Sequence, residues 1–479
     1  MRCPTILLAT FMLIALPGPL LTAGENVTRE QAISALHRAV QFFRQEVAIN
    51  GGYLWRYSYD LTKRQGELEA SKTTAWVQPP GTPSVGEAFL EAYRVTEDTY
   101  FLDAARETAA ALISGQLRSG GWDYRIEFDP KDRRRYAYRS DDHGENGRNV
   151  TTLDDNTTQA ALRYLMRVDQ TLAFKEAEIH EAAEYALDSL LKAQYPNGAW
   201  PQRYSEFPDP GMHPVKQATY PETWSRTHPK KDYRSYYTFN DHTINDVIDT
   251  MFLAAEIYGN ARYRAAAELA GDFILLAQMP EPQPAWAQQY NSLMQPAWAR
   301  RFEPPSVTGG ESQQVLRTLL MLYRKTGKKK YLEPIPRALD YLEESSLPDG
   351  RLARFYELKT NRPIYFTKKY ELTYSPDDLP THYGFIAGSK LSEIRAEYRE
   401  LLADGPPSQS TDRRTNRRPS AKLEARAKAV VESMDERGAW VETGRFKDRG
   451  VWGPPTRVIQ CRTFANNVAV LCRFLAAGE

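Results

Sequence analysis

Two adjacent carboxylates in TTLDDNTTQ, Asp154 and Asp155, and a third in YTFNDHT, Asp241, are the residues whose types most invite chemistry. Three arginines offer the opposite charge: Arg300 in PAWARRFEPPS, and Arg351 and Arg354 in DGRLARFYELKTNRP. Carboxylate and amide oxygens suit a hard cation such as Ca²⁺ at about 2.3–2.6 Å. Guanidinium forks suit sugar acids. Trp298 and Phe302 flank Arg300, and Phe355 and Tyr356 follow Arg354, so aromatic faces stand ready to stack sugars. Acid, base and aromatic together point to cleavage of an acidic polysaccharide. Plainer readings compete. Asp, Asn and Thr are preferred helix caps, and both LDDNT and FNDHT stand where an amphipathic run begins. Any one arginine could equally serve a salt bridge.

Other chemistries are missing from the sequence. The seven histidines are scattered, and neither HExxH nor CxxC occurs, which excludes the familiar zinc patterns. There is no GxSxG, Walker loop or GxGxxG in a βαβ setting. The run Arg133–Arg135 reads as a solvated loop.

These residues must be positioned by helices. Ile33, Leu36, Val40, Phe43 and Val47 recur at helical spacing. Helical pairs follow at about Val85–Val95 with Tyr100–Leu117, Asp154–Val168 with Glu176–Gln194, Asp241–Tyr258 with Ala261–Gln278, and Gly309–Tyr323 with Lys329–Ser345. Single helices are predicted over Ala421–Met434 and Gln460–Leu475. After each pair, and after the single helices before Gly52 and Gly438, comes a small-residue turn and an aromatic run: Gly52–Tyr53, Gly121–Trp122, Gly198–Trp200, Ala285–Trp286, Gly350–Phe355 and Gly438–Trp440. A helix–helix–aromatic-loop repeat predicts one all-α, α/α toroid, with short strands in the loops and the two terminal helices pairing to close the ring. The polar stretch Phe128–Arg148 reads as an exposed loop, and Ser205–Arg234 as an ordered excursion over one rim.

The N-terminus, with Arg2, an apolar run over Ile6–Leu16 and small residues at Thr22–Ala23, reads as a signal peptide at 1–23. A single catalytic domain at 24–479 is expected to follow, interrupted by a flexible insertion at 404–420. Export to the periplasm or the medium follows, with no membrane anchor after cleavage. The formal net charge of +1 gives no support for nucleic-acid binding. With Cys3 removed, Cys461 and Cys472 lie eleven residues apart in a helical segment, roughly 16 Å along its axis. They are expected as two buried thiols. Nothing in the sequence signals an oligomer, so a monomer is expected.

TTLDDNTTQ, AQYPNGAWPQ, YTFNDH, PAWARRFEPPS followed by GGES, and GRLARFYELKTNRPIYF together resemble the family 10 polysaccharide lyases, the pectic acid lyases. The resemblance runs from about Trp122 to Phe366. It implies an α/α toroid, Ca²⁺ dependence and β-elimination of polygalacturonate by an arginine base. By matching positions, Arg354 would be the base and Arg300 would hold a uronate or assist. Asp241 and Asp154 would be metal ligands, and Asp155, Arg351, Trp298 and Tyr356 substrate contacts. Two departures stand out: NGAWPQ replaces NGGWPQ, and His242 replaces the acid that commonly follows TFND. The alternatives are a metal-free inverting hydrolase using Asp154 and Asp241, or a pectin-binding toroid without chemistry.

Overall fold

The computed structural model describes residues 27–142, 146–406, 419–448 and 450–477. The signal-peptide reading and most of the 404–420 insertion lie outside the described residues. Among those described are thirteen helices: α1 Arg29–Phe42, α2 Thr82–Thr96, α3 Thr99–Ser114, α4 Pro130–Arg133, α5 Thr157–Thr171, α6 Ala177–Ala193, α7 Thr243–Tyr258, α8 Ala261–Ala277, α9 Gly309–Thr326, α10 Ile335–Glu344, α11 Leu391–Asp404, α12 Ala421–Glu432 and α13 Cys461–Ala477. The helices pack in hairpins, α2 on α3, α5 on α6, α7 on α8, α9 on α10 and α12 on α13. Around the ring α13, α2, α5 and α7 are successive neighbours, α9 continues against α8, and α11 packs on α9 and α10. This is the α/α toroid. The terminal helices meet, α1 lying on α12 and α13.

Three backbone details make the repeat work. In four loops a tryptophan indole N–H donates to a carbonyl in the last turn of the helix before it. These are Trp122 to Leu112, Trp200 to Leu190, Trp286 to Ile274 and Trp440 to Val430, all at 2.8–2.9 Å. A helix leaves its last carbonyls unpaired, so each indole closes one while filling the core. The loop between α6 and α7 also needs Gly198, at φ +95°, where a Cβ would stand 2.1 Å from the Leu269 carbonyl oxygen. The loops then zip to one another as short antiparallel strands. Thr456–Gln460 pairs with both Arg56–Ser58 (Tyr57 opposite Ile459) and Val441–Gly444, which joins the two ends of the chain. Phe355–Glu357 pairs with Ser306–Thr308, setting Phe355 opposite Thr308.

Most predicted helices match within a few residues. The first helix ends in a π-turn over Phe43–Val47. Helix α11 is absent from the sequence reading, because only Leu391, Ile394 and Leu401 of its fourteen residues are buried and the apolar stripe is thin. Cys461 and Cys472 are buried free thiols, as expected.

Candidate active site

The chain turns twice in the same unusual way just before α5 and α7. In Leu153-Asp154-Asp155-Asn156-Thr157, Asp155 (φ 51°) and Asn156 (φ 58°) are both left-handed. In Phe239-Asn240-Asp241-His242-Thr243, Asp241 (φ 47°) and His242 (φ 64°) repeat the pattern. Side-chain-bearing residues pay roughly 1–2 kcal/mol each for that region, so both turns are fixed from outside. Thr152 and Thr238 hydroxyls accept the Asp154 and Asn240 amides at 3.3 and 3.1 Å. Thr157 and Thr243 hydroxyls donate to the Asp154 and Asn240 carbonyls, each at 2.9 Å. The helix-cap reading of these acids fails, since no side-chain cap bond forms at either helix start. The left-handed pair instead leaves the carboxylates free for other partners.

Oxygens of Asp154, Asp155 and Asp241 converge to within 4.8 Å of one another. An inverting glycosidase keeps its two carboxyl groups roughly 6.5–9.5 Å apart to seat a water, so this spacing argues against the hydrolase. Burial and the neighbouring Asp154 raise Asp155 to about 7. Burial and Asp154 likewise push Asp241 upward, against the pull of Arg300. Crowded, desolvated carboxylates of this kind call for positive charge. Here arginines supply it: Arg203 Nη2 donates to Asp154 Oδ2 at 3.1 Å, and Arg300 Nη2 to Asp241 Oδ2 at 3.0 Å while lying 3.6 Å from Asp154.

Arg354 stands on the opposite side of a small polar network. Its Nη2 meets Glu311 Oε1 at 2.5 Å and its guanidinium lies 4.3 Å above the Tyr383 ring. Tyr383 donates to Glu303, which also accepts the Arg300 amide at 2.9 Å. The network therefore links the two arginines. Burial works to lower the Arg354 pKa, but Glu311, Tyr383, Asp241 and Glu303 outweigh it, and the guanidinium stands above its ordinary value. Arg354 Nε and Glu311 Oε2 are buried without partners.

Of the residues expected at the site, the structure brings together Asp154, Asp155, Asp241, Arg300 and Arg354. Trp298 stands at the edge: its indole N–H donates to the Ser225 carbonyl at 2.9 Å, and the residue lines the cleft beside Arg300. Two others do not fit. Tyr356 is 1% exposed, accepts the Ala353 amide and donates to the Ser345 carbonyl at 2.7 Å. It closes the end of α10 as tryptophan does elsewhere, which is a scaffold role. Arg351 is exposed in the turn after α10 and ion-paired with Asp349 at 2.6 Å, not with the acids. His242 is exposed and no member of the aspartate group, so its substitution removes none of these three carboxylates.

The sequence reading missed the residues that hold the acids and the neighbouring Asn240. Gln78 donates to Asp155 at 2.9 Å, Tyr124 to Asp154 at 2.7 Å, Gln202 to Asp154 at 3.0 Å and Gln288 to Asn240 at 2.6 Å. A signal was present. Each sits two residues after a tryptophan: Trp76, Trp122, Trp200 and Trp286.

The acids and arginines thus gather at one site on an α/α toroid. Residues 129–322 match the family model for pectic acid lyase. The resemblance read from the motifs is therefore borne out over that segment. The matched segment contains the three aspartates, Arg300, Glu303 and Glu311; Arg354 lies beyond it. Among solved structures, a mutant of the family 10 polysaccharide lyase from Cellvibrio cellulosa in complex with trigalacturonic acid is 19% identical, at a TM-score of 0.46, over 67% of this chain and 98% of that one. The family 10 polysaccharide lyase from Cellvibrio cellulosa is 20% identical, at 0.45, over 66% and 97%. The GH76 α-mannanase BT2949 from Bacteroides thetaiotaomicron is 11% identical, at 0.42, over 95% and 96%. No curated protein matches the chain in sequence.

Proposed function

We propose that this protein cleaves polygalacturonate by β-elimination, with Ca²⁺ on Asp154, Asp155 and Asp241 and with Arg354 and Arg300 at the reacting sugar. The observation that carries the proposal is the convergence of three carboxylate oxygens within 4.8 Å. That span is about twice the 2.3–2.6 Å of a Ca–O bond, so all three can face one ion. Their left-handed turns hold them there before anything binds. Bound at these oxygens, Ca²⁺ would neutralise the substrate carboxylate and the negative charge that develops beside it.

The C5 proton is adjacent to a carboxylate and very weakly acidic, so removing it needs a strong base within about 3 Å. The base takes H5, the C5–H electrons form the C4–C5 double bond, and the C4–O bond breaks with its pair leaving on oxygen. The resemblance gives that task to Arg354, which must act in its neutral form against the hold of Glu311. A second reading has its own observation. Arg300 donates directly to Asp241 at 3.0 Å, whereas Arg354 is ion-paired with Glu311. In that reading Arg300 takes the proton and Arg354 stays charged to grip a uronate. An exported protein suits either case, because a pectic polymer lies outside the cell that degrades it.

The test is absorbance of the 4,5-unsaturated product from polygalacturonate at alkaline pH, first with Ca²⁺ and then with chelator. The expected result is a rise that chelator abolishes. Arg354→Ala and Arg300→Ala are then assayed with added guanidine, which is expected to restore turnover only where the missing side chain was the base. Reducing ends without an absorbance rise would overturn the lyase reading.

A further inference from the structure

Next to Arg300 lies a cavity of about 1100 Å³ whose walls come from three separate stretches of chain. One is the excursion 205–234, through Arg226, His228, Lys230 and Tyr233. Another is the loop carrying Trp298, Arg300 and Arg301. The third is the strand region ending in Tyr370 and Glu371. Drug-sized ligands occupy roughly 300–1,000 Å³, so there is room for more than one sugar residue beyond whatever sits at the aspartates. Arg300 lines this cavity and also donates to Asp241 at 3.0 Å, so the cavity adjoins the aspartates.

The charges of this cavity are unevenly answered. Arg226 is neutralised by Glu357, and Arg300 by Asp241 and Glu303. Arg301 has no carboxylate partner among the described residues. Its guanidinium lies 4.0 Å above the Tyr370 ring, which stacks in turn on Phe302 at 5.7 Å. A stacked guanidinium loses little freedom when its edge then binds an anion. Lys230 is exposed, also without an ion pair among the described residues, and held out at φ +56°. Against these two free cations the lining offers one carboxylate, Glu371. Trp298, itself buried, forms part of the wall, and Tyr370 holds Arg301 in place.

We propose that this cavity is an extended subsite for further uronate residues of the same chain, with Lys230 and Arg301 as its carboxylate-recognising side chains. The enzyme then discriminates by length and charge, favouring long stretches of free-acid galacturonan over short oligomers. The proposal rests on the lyase reading for the chemistry but not for the binding.

Two measurements separate the two. In the first, kcat/KM is compared for galacturonate trimer and hexamer with wild type, Lys230→Ala, Arg301→Ala and, as a control outside the cavity lining, Lys231→Ala. The hexamer-to-trimer ratio is expected to fall on the order of tenfold in each cavity variant and to hold in Lys231→Ala. In the second, the same oligomers are titrated calorimetrically with chelator present, which stops turnover. Wild type is expected to bind hexamer more tightly than trimer, and both cavity variants to lose that advantage. A ratio that survives both cavity substitutions, or equal affinity for the two lengths in wild type, overturns the subsite. Absence of unsaturated product at every length overturns the lyase reading instead, and the titration still decides the subsite.

Discussion

Glu311→Gln is the substitution that decides what Arg354 does. Glutamine keeps the shape of the side chain and an oxygen to receive Arg354 Nη2, but it removes the negative charge. Glu311 and Arg354 side chains are only 6% and 21% exposed, so water screens the pair weakly. With charge centres about 4 Å apart and an effective dielectric near 20, the lost attraction is about 4 kcal/mol. That is up to about a thousandfold in proton affinity. Burial already works against the Arg354 charge, and Tyr383, Asp241 and Glu303 still support it, so the realised change is smaller. If Arg354 acts as a neutral base, the rising alkaline limb of kcat moves to lower pH by roughly one to three units. The assay is initial velocity of unsaturated-product formation across pH 7 to 11 at saturating substrate and Ca²⁺. Stability is checked by urea unfolding, where a loss of roughly 3 kcal/mol is expected from weakening a buried pair. A folded variant whose limb stays in place while KM rises refutes Arg354 as base and assigns it to gripping the uronate.

Three further outcomes follow from the geometry. Wild type should gain about 2.7 kcal/mol of stability at Ca²⁺ a hundredfold above its Kd; Asp154→Asn and Asp241→Asn should each lose most of it in the same thermal melts. His180 donates to the wholly buried Asp169 at 2.8 Å, and that bond raises its pKa. A raised folded value means the contribution is complete below about 6.5 and is lost as pH climbs through the folded pKa, so the gap in unfolding free energy between wild type and His180→Gln should shrink from pH 6 to pH 9. Gly198→Ala should destabilise by about 1–3 kcal/mol, because its Cβ would meet the Leu269 carbonyl at 2.1 Å with φ at +95°; an unchanged melting temperature would contradict the tight seating of that loop.

Periodicity made the scaffold legible. Apolar residues at three- and four-residue spacing located the major helix pairs, and a small residue followed by an aromatic located the loops between them. What the indoles bond to was not legible, since a carbonyl ten or twelve residues back is a matter of backbone geometry. At the site, Asp154, Asp155 and Asp241 were readable as cation ligands, but equally as helix caps. The choice depended on left-handed backbone angles at Asp155, Asn156, Asp241 and His242, which these residue types tolerate but do not by themselves signal. Tyr356 shows the opposite error. An aromatic beside a candidate base looked like a sugar platform, yet its hydroxyl bonds to Ser345 and Ala353 inside the fold. Gln78, Tyr124, Gln202 and Gln288 escaped because each is unremarkable alone and becomes informative only when the repeats are superimposed on their tryptophans.

That superposition has a consequence for how such a molecule can change over generations. In each of three loops the tryptophan secures the helix end, while the side chain two residues later reaches the site: Trp122 with Tyr124 and Trp200 with Gln202, both on Asp154, and Trp286 with Gln288, on the Asn240 beside Asp241. Folding and recognition thus occupy neighbouring but separate positions. Mutation can sample new side chains at 124, 202 or 288, one repeat at a time, without loosening the indole that keeps that repeat in place. A ring built this way can be retuned toward other sugars piecemeal, with the scaffold inherited intact.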